Sequence, residues 1–463
     1  MLTLILSKFN LYSVVHYKHN LKILKHLLDA NKNLAEQGSD DWLAIRKYTI
    51  GGSEMSTITG DNPYSKLEDL VSQKVGFSSF TGNIACKWGK VFEIVTTQIT
   101  ERIMNIDKIY ETGSLEGAVE GQRYSPDGLA VVKIKCSETI DNELLEVDEY
   151  CIVLFEFKSP YSSVPVGIIP KHYLPQVLTG LCSIPICDFA IFINNAYRKC
   201  SVADLNTTLT YDINFHSRDK KLKPTEVLAL GINIFYQTDE QKIKFMEKYT
   251  NEFNIKTDIT DSDDVESESE SDSAQNIFNA INTPKDPVYF NIPSLYRFIE
   301  RKIKLTENHS MDFGESNYYE FNDLLTLYDK GLVSMHVCKP HICEDYYKND
   351  FLKTQELKPD ILDNEKDSIE LYKKELAEFP NIIGFLPWKL FKSDIITQER
   401  DPEYLNIHKD AINNALNILE NINSSKTEFE KIKKFKQYFP NSKILKNNGF
   451  DTHEAFSFLP TGM

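Results

Sequence analysis

The sequence predicts an α/β protein. Apolar runs with the length of buried strands lie at 130–134, 151–157, 189–193 and 228–236. Between them come stretches with apolar residues every three or four positions, the signature of amphipathic helices. No run reaches the roughly 18 apolar residues of a membrane span, so none is expected. At 463 residues the chain can form two or three domains, or one elaborated domain.

The elements follow in order. Residues 1–39 read as a helical extension, with Leu21, Leu24, Leu27 and Leu28 spaced for a helix over about 20–36. The opening run, Met1 to Leu6, is too short for a signal-peptide core. Asp40 is expected to cap a short helix carrying Trp42, Ile45 and Arg46. Ile50-Gly51-Gly52-Ser53-Glu54 then reads as a loop entering a helix. Its free N–H groups, with Arg46 nearby, can hold an anion; Ser53 can equally be a plain cap and Arg46 a surface residue. Asn62-Pro63-Tyr64 is a turn, and 67–75 is helical. A further helix is expected from Trp88 to about Met104, with Val91, Ile94 and Val95 inward and Glu93 near its N-terminal end.

Ser125-Pro126-Asp127-Gly128-Leu129 is a tight turn presenting Asp127 at the mouth of a strand. The acidic stretch 138–149 reads as an exposed hairpin tip before the next strand. That strand ends in Phe155-Glu156-Phe157-Lys158-Ser159-Pro160. Alternation puts Glu156 and Lys158 on one face and the two phenylalanines on the other. Pro160 stops the ladder. An acid and a lysine so placed can hold a metal ion and orient a water, or form an ion pair. Lys171 to Cys182 reads as a helix, with Tyr173 and Gln176 on adjacent turns.

Beyond a helix over about 238–252, the stretch 256–275 is Ser/Asp/Glu-rich and should be disordered. Residues 276–380 read as an inserted helical region. Strands at 381–386 and 388–391, with 394–398 able to pair with them, and a helix to about Asn423 complete the core over 381–463. The final part is basic, with seven lysines against two glutamates between Lys426 and Lys446. It can track a phosphate backbone, or be an amphipathic helix burying Phe429, Ile432, Phe435 and Phe439.

The net charge of −16 argues against a simple nucleic-acid binder, although eight acids between Asp258 and Asp272 account for half of it. Eight irregularly spaced cysteines suggest reduced thiols in an intracellular compartment, cytoplasm or nucleus. His336, Cys338, His341 and Cys343 offer four soft ligands in eight residues, crowded for one zinc tetrahedron.

The order of these pieces carries more than any one of them. Glu93, Asp127 and Glu156 are hard oxygen ligands suited to Mg²⁺, with Mn²⁺ as the alternative. Trp42 with Arg46 and the 50–54 loop, Gly89 with Glu93, the 125–129 turn, the 155–160 strand end, and Tyr173 with Gln176 together resemble the lambda-exonuclease-like, or YqaJ-like, viral recombinases of the PD-(D/E)XK nuclease superfamily. The resemblance implies a restriction-endonuclease-like core over 40–255, with a central mixed sheet flanked by helices. It implies that Glu93, Asp127, Glu156 and the Phe157 carbonyl ligate the metal, Lys158 orients the water, and Gln176 helps hold the site. Arg46 and Ser53 would grip a 5′-phosphate. The implied activity is 5′-to-3′ digestion of linear duplex DNA, leaving an overhang for a single-strand annealing protein, in some members by a homotrimer. An endonuclease on DNA or messenger RNA, and a silent nucleic-acid-binding protein of the same fold, are the alternatives. The 29-residue step from Asp127 to Glu156 requires a decorated hairpin.

Overall fold

The computed structural model describes residues 2–35, 39–79, 82–140, 143–199, 229–236, 332–338 and 382–447. Its frame is a six-stranded mixed sheet in the order β4-β5-β6-β9-β7-β8. These strands are β4 (Gly128–Ile140), β5 (Glu143–Lys158), β6 (Phe189–Lys199), β7 (Ala229–Tyr236), β8 (Leu332–Cys338) and β9 (Ile382–Gln398). Only β5 and β6 pair in parallel, joined by a crossover through α6 (Leu174–Ser183). The mixed sheet flanked by helices is the architecture expected from the sequence.

The long step between Asp127 and Glu156 is taken up by a hairpin. β4 and β5 pair without interruption from Gly128↔Phe155 to Ile140↔Glu143. Most of 138–149 is therefore paired strand rather than a loop tip. Because the register pairs Gly128 with Phe155, Asp127 comes beside the end of β5.

A second, three-stranded sheet has the order β1-β3-β2, from β1 (Ile50–Gly51), β2 (Leu115–Glu116) and β3 (Gln122–Tyr124). It holds the glycine loop against the strand that leads into Asp127. A 3₁₀ turn (Gly52–Glu54) and the short α3 (Met55–Ile58) follow β1 directly.

Helices cover the large sheet. α1 spans Leu2–Ala30, so the first helix starts far earlier than the leucine spacing alone indicates and ends sooner. It is not a detached extension: Leu24 is fully buried and packs with Tyr150, Ile152 and Leu154 of β5 and with Val177 and Leu181 of α6. Ser39, not Asp40, caps α2 (Asp40–Arg46), its hydroxyl accepting the Trp42 N–H. Asp40 instead begins the first turn, where a carboxylate favours the helix dipole.

α4 (Leu67–Val75) lies where the sequence placed it. α5 spans Ile84–Ile103, a turn earlier than expected, which puts Glu93 in mid-helix. Its inward face is Trp88, Val91, Phe92, Val95 and Ile99, packed on Tyr197 and Trp388; Ile94 is 39% exposed and does not join it.

β9 is one strand, not three short ones. Its first half pairs with β7 and its second with β6, so 394–398 does not pair with 381–391. The β6 ladder begins at Trp388, one residue past Pro387, which has no N–H to give it. α7 (Tyr404–Asn423) and α8 (Glu428–Tyr438) pack on α3 and α4 through Ile412, Leu419 and Phe435, and α9 (Ile444–Asn447) follows. Phe429 faces solvent, unlike Ile432, Phe435 and Phe439.

β8 lies inside the region read as helical. The expected helices over 238–252 and through 276–380, the acidic stretch, and His341 and Cys343 lie outside the described residues, as do the side chains of His336 and Cys338. Among the described residues no helix is long and apolar enough to cross a membrane.

Candidate active site

The centre of the site is Glu156, four residues before Pro160. Strand alternation turns its carboxylate away from the Phe155–Phe157 side, and the residue is fully buried. Lys158, two positions on and on the same face, donates to Glu156 Oε1. Lys158 Nζ also stands 3.9 Å from Asp127 Oδ2. Asp127 is anchored in turn by the N–H of Phe157, 2.7 Å from Oδ2. One backbone donor at the strand end thus fixes the aspartate that the hairpin delivers there.

Glu93 approaches from α5. Burial and then the Asp127 charge push its carboxyl up to about 7, against the relief given by Lys158. Burial and Asp127 likewise push Glu156 up to about 8. Burial works to lower the Lys158 ammonium, but Glu156 and Asp127 outweigh it and hold the proton on. Three carboxylates therefore crowd one lysine, a surplus of negative charge in a place largely closed to water.

Tyr124 completes the surroundings. Its hydroxyl donates to Glu156 Oε2 at 3.1 Å. The ring passes between two backbones that only glycine permits. A Cβ on Gly52 would fall 2.3 Å from Tyr124 Cδ2, and one on Gly180 would fall 2.4 Å from Cζ. Nothing in the Tyr124-Ser125-Pro126-Asp127 order flags this tyrosine; the two distant glycines were the available signal.

Tyr173, at the entry to α6, lies under the lysine, with Nζ 5.3 Å from its ring centre. Gln176 sits half-buried one turn on. Its carboxamide forms no hydrogen bond with the carboxylates, so α6 meets the site through Tyr173 instead.

A second charged group lies on the other side of Tyr124, around Glu54. Arg46 donates to Glu54 Oε1 at 2.6 Å, and Lys74 Nζ stands 2.9 Å from Oε2. The Gly51 N–H reaches Oε2 at 2.8 Å. Lys74 also donates to the Arg46 carbonyl at 2.7 Å, and the guanidinium lies 4.5 Å over the Trp42 ring. Burial works to raise the Glu54 carboxyl, but Lys74 and Arg46 outweigh it and hold it below its ordinary value. Ser53 is exposed beside this group. Arg46 is thus neither a free surface residue nor an empty anion fork: Glu54, which the sequence reading did not single out, holds it in place.

Among the described residues, no three His, Cys, Asp or Glu side chains form a ready-made metal cage. The donor chemistry still suits a hard divalent cation: the acids are all oxygen donors, and their raised proton affinities measure unbalanced negative charge that such an ion would neutralise.

Parts of the chain are similar to known proteins. Protein D345L of African swine fever virus is 23% identical over 415 residues in the Pretoriuskop isolate, covering 87% of this chain and 91% of the relative. The Vero-adapted Badajoz strain has a D345L of the same identity and coverage. Among solved structures, an alkaline exonuclease, LHK-Exo, from Laribacter hongkongensis aligns with 16% identity and a TM-score of 0.25, over 34% of this chain and 74% of that one. Residues 41–183, which hold Arg46, Ser53, Glu93, Asp127, Glu156, Lys158 and Gln176, match the family model of the YqaJ-like viral recombinase domain.

Proposed function

We propose that the protein is a divalent-metal-dependent deoxyribonuclease that digests linear duplex DNA from its 5′ ends during viral recombination, repair or genome processing. The observation that carries this reading is the convergence of Asp127, Glu156 and Lys158 at one strand end. The domain match supports it.

Glu93, Asp127, Glu156 and the Phe157 carbonyl would hold Mg²⁺. A bound Mg²⁺ would lower the pKa of a water and offset charge on the leaving oxygen. The remaining roles belong to the chain. Lys158, kept protonated by Glu156 and Asp127, orients the attacking water and balances charge on the pentacovalent phosphorus. Tyr124 fixes the second oxygen of Glu156. Arg46 and Ser53 receive the terminal phosphate, with Lys74 buried behind them. Gln176, one turn after Tyr173 on α6, would help hold the site from that helix. The single-stranded product would pass to an annealing protein.

The test is one digestion series with linear duplex bearing or lacking a 5′-phosphate, closed circular DNA, and RNA, each in Mg²⁺ or EDTA. Digestion of the phosphorylated linear duplex alone is expected, only with Mg²⁺. Cleavage of the closed circle would instead make the protein an endonuclease, and cleavage of RNA would move the substrate class. Lys158→Ala should slow digestion by roughly 10²–10⁴-fold while sparing Mg²⁺ binding by calorimetry. Glu156→Gln should weaken Mg²⁺ binding itself. Unchanged digestion by both variants would sink the site assignment.

A further inference from the structure

The loop after α3 carries an aromatic side chain that the fold does not use. Tyr64 is 85% exposed, the most exposed large hydrophobic residue among those described. Ordinarily such a residue on a loop tip is of no note. Here the loop beneath it is tightly braced. The Asp61 and Asn62 N–H groups both donate to the Ser56 carbonyl, at 2.8 and 2.9 Å. Asn62 Nδ2 donates to Thr57 Oγ1 at 2.9 Å, and Asn62 Oδ1 accepts the Tyr64 N–H at 2.9 Å. Asp61 also accepts from Thr59 Oγ1 at 2.8 Å and pairs with Lys171 at 2.8 Å. Pro63 fixes one further backbone angle. The ring is held out into solvent on a rigid support.

The same bracing ties Tyr64 to the site. Lys171 immediately precedes His172, whose imidazole meets the Tyr64 ring edge-on with centres 6.0 Å apart. His172 lies 4.1 Å from the Tyr173 ring, and Tyr173 lies under Lys158. A line of three rings therefore runs from solvent to the lysine of the site. Steps of 4.1 and 6.0 Å bring Tyr64 within about three stacked bases of Tyr173, at roughly 3.4 Å per base. Burial, and then the Lys158 charge, lower the His172 imidazole below its ordinary value, which favours its neutral form.

We propose that Tyr64, backed by His172, is a stacking platform for an unpaired nucleobase next to the phosphate being cut. Aromatic faces accept any base, so the platform would hold the strand without reading its sequence. Its exposed face suits a base that has left its partner, because a paired and stacked base has no free face to offer. The inference rests on the nuclease reading for its substrate, and it adds a state of that substrate: an end peeled open before hydrolysis.

The experiment uses the full chain in EDTA with a duplex carrying 2-aminopurine near a 5′-phosphorylated end, together with single-turnover digestion in Mg²⁺. Tyr64 is exposed, so its replacement does not threaten the fold. With the parent protein, the 2-aminopurine fluorescence should change on binding. With Tyr64→Ala that change should be lost, and digestion of a fully paired end should slow by about 10-fold. Tyr64→Phe should restore both, and two mismatches at the end should relieve most of the Tyr64→Ala defect. If the parent digests the duplex and Tyr64→Ala matches it in signal and rate, the platform is overturned and the nuclease stands. If the substitution instead changes only the sedimentation coefficient, Tyr64 belongs to a protein interface and the platform is overturned. If the parent neither binds nor digests the duplex, both readings fail.

Discussion

Glu54, 13% exposed, and Glu156, fully buried, are both carboxylates held by basic side chains, yet their surroundings push them in opposite directions. Around Glu54, Arg46 and Lys74 outnumber the single acid, and its carboxyl is held below the ordinary range. Around Glu156, three acids share Lys158, and the carboxyl is pushed up to about 8. Each group carries a residual charge that the fold leaves unbalanced, positive in one and negative in the other. The difference is what a phosphodiester-cleaving site needs on its two sides: a place that favours an anionic end and a place that favours a cation.

The sharpest way to break this comparison is Glu54→Gln. Lys74 is only 6% exposed, and without Glu54 its ammonium keeps the Arg46 carbonyl but is buried without a counter-charge. Stability should fall by roughly 3–5 kcal/mol, read by chemical denaturation. A loss below about 1 kcal/mol would mean that the Arg46 carbonyl and water are enough to hold the ammonium, as in exposed pairs.

The second prediction uses pH in metal-free buffer. Glu93 and Glu156 keep their protons to about 7 and about 8, whereas an unfolded chain releases them near 4.5. Over that window the native state binds more protons than the unfolded one, so stability falls as pH rises and then levels off above about 8. Glu54 acts in the opposite sense: its contribution is present above 4.5 and is lost as pH falls through its lower native value. Thermal unfolding should therefore show a midpoint that declines from pH 5 to 8, and Glu156→Gln should flatten the decline. At pH 8, Mg²⁺ at 100-fold over its Kd should recover about 2.7 kcal/mol. A midpoint that ignores Mg²⁺ would remove the cation side of the comparison.

The smallest effect belongs to Tyr124→Phe, which removes one hydrogen bond to Glu156 Oε2. A loss of about 1 kcal/mol is expected. That bond favours the charged carboxylate, so its removal should move the rise of the pH–rate profile to higher pH. A profile that stays in place would show that the hydroxyl does not act on Glu156.

The order of chemical motifs along the chain was legible because hairpin register and strand alternation are local rules. Gly128 pairs with Phe155, and that alone brings Asp127 to Glu156 and Lys158. The partner of Arg46 was harder to read. Glu54 stands beside the quoted glycines, but its direction depends on a 3₁₀ turn, and an N-terminal glutamate usually serves only the helix dipole. Tyr124 was invisible because its contacts come from Gly52 and Gly180, residues far apart in sequence. The start of α5 was misplaced because Trp88 looked like an opening residue, whereas it is buried in the second turn. β8 was missed because a seven-residue alternating run is too short to outweigh the helical periodicity read in the sequence around it.

The Tyr124 ring has one further consequence. It fills the space between Gly52, beside the Glu54 group, and Gly180, with its hydroxyl on Glu156. For an enzyme that works as proposed, a rigid aromatic spacer of fixed length separates the point where a strand end is gripped from the point where it is cut. Such a spacer is a ruler. In such an enzyme it would set the size of the fragment released at each turnover, whatever the sequence being digested.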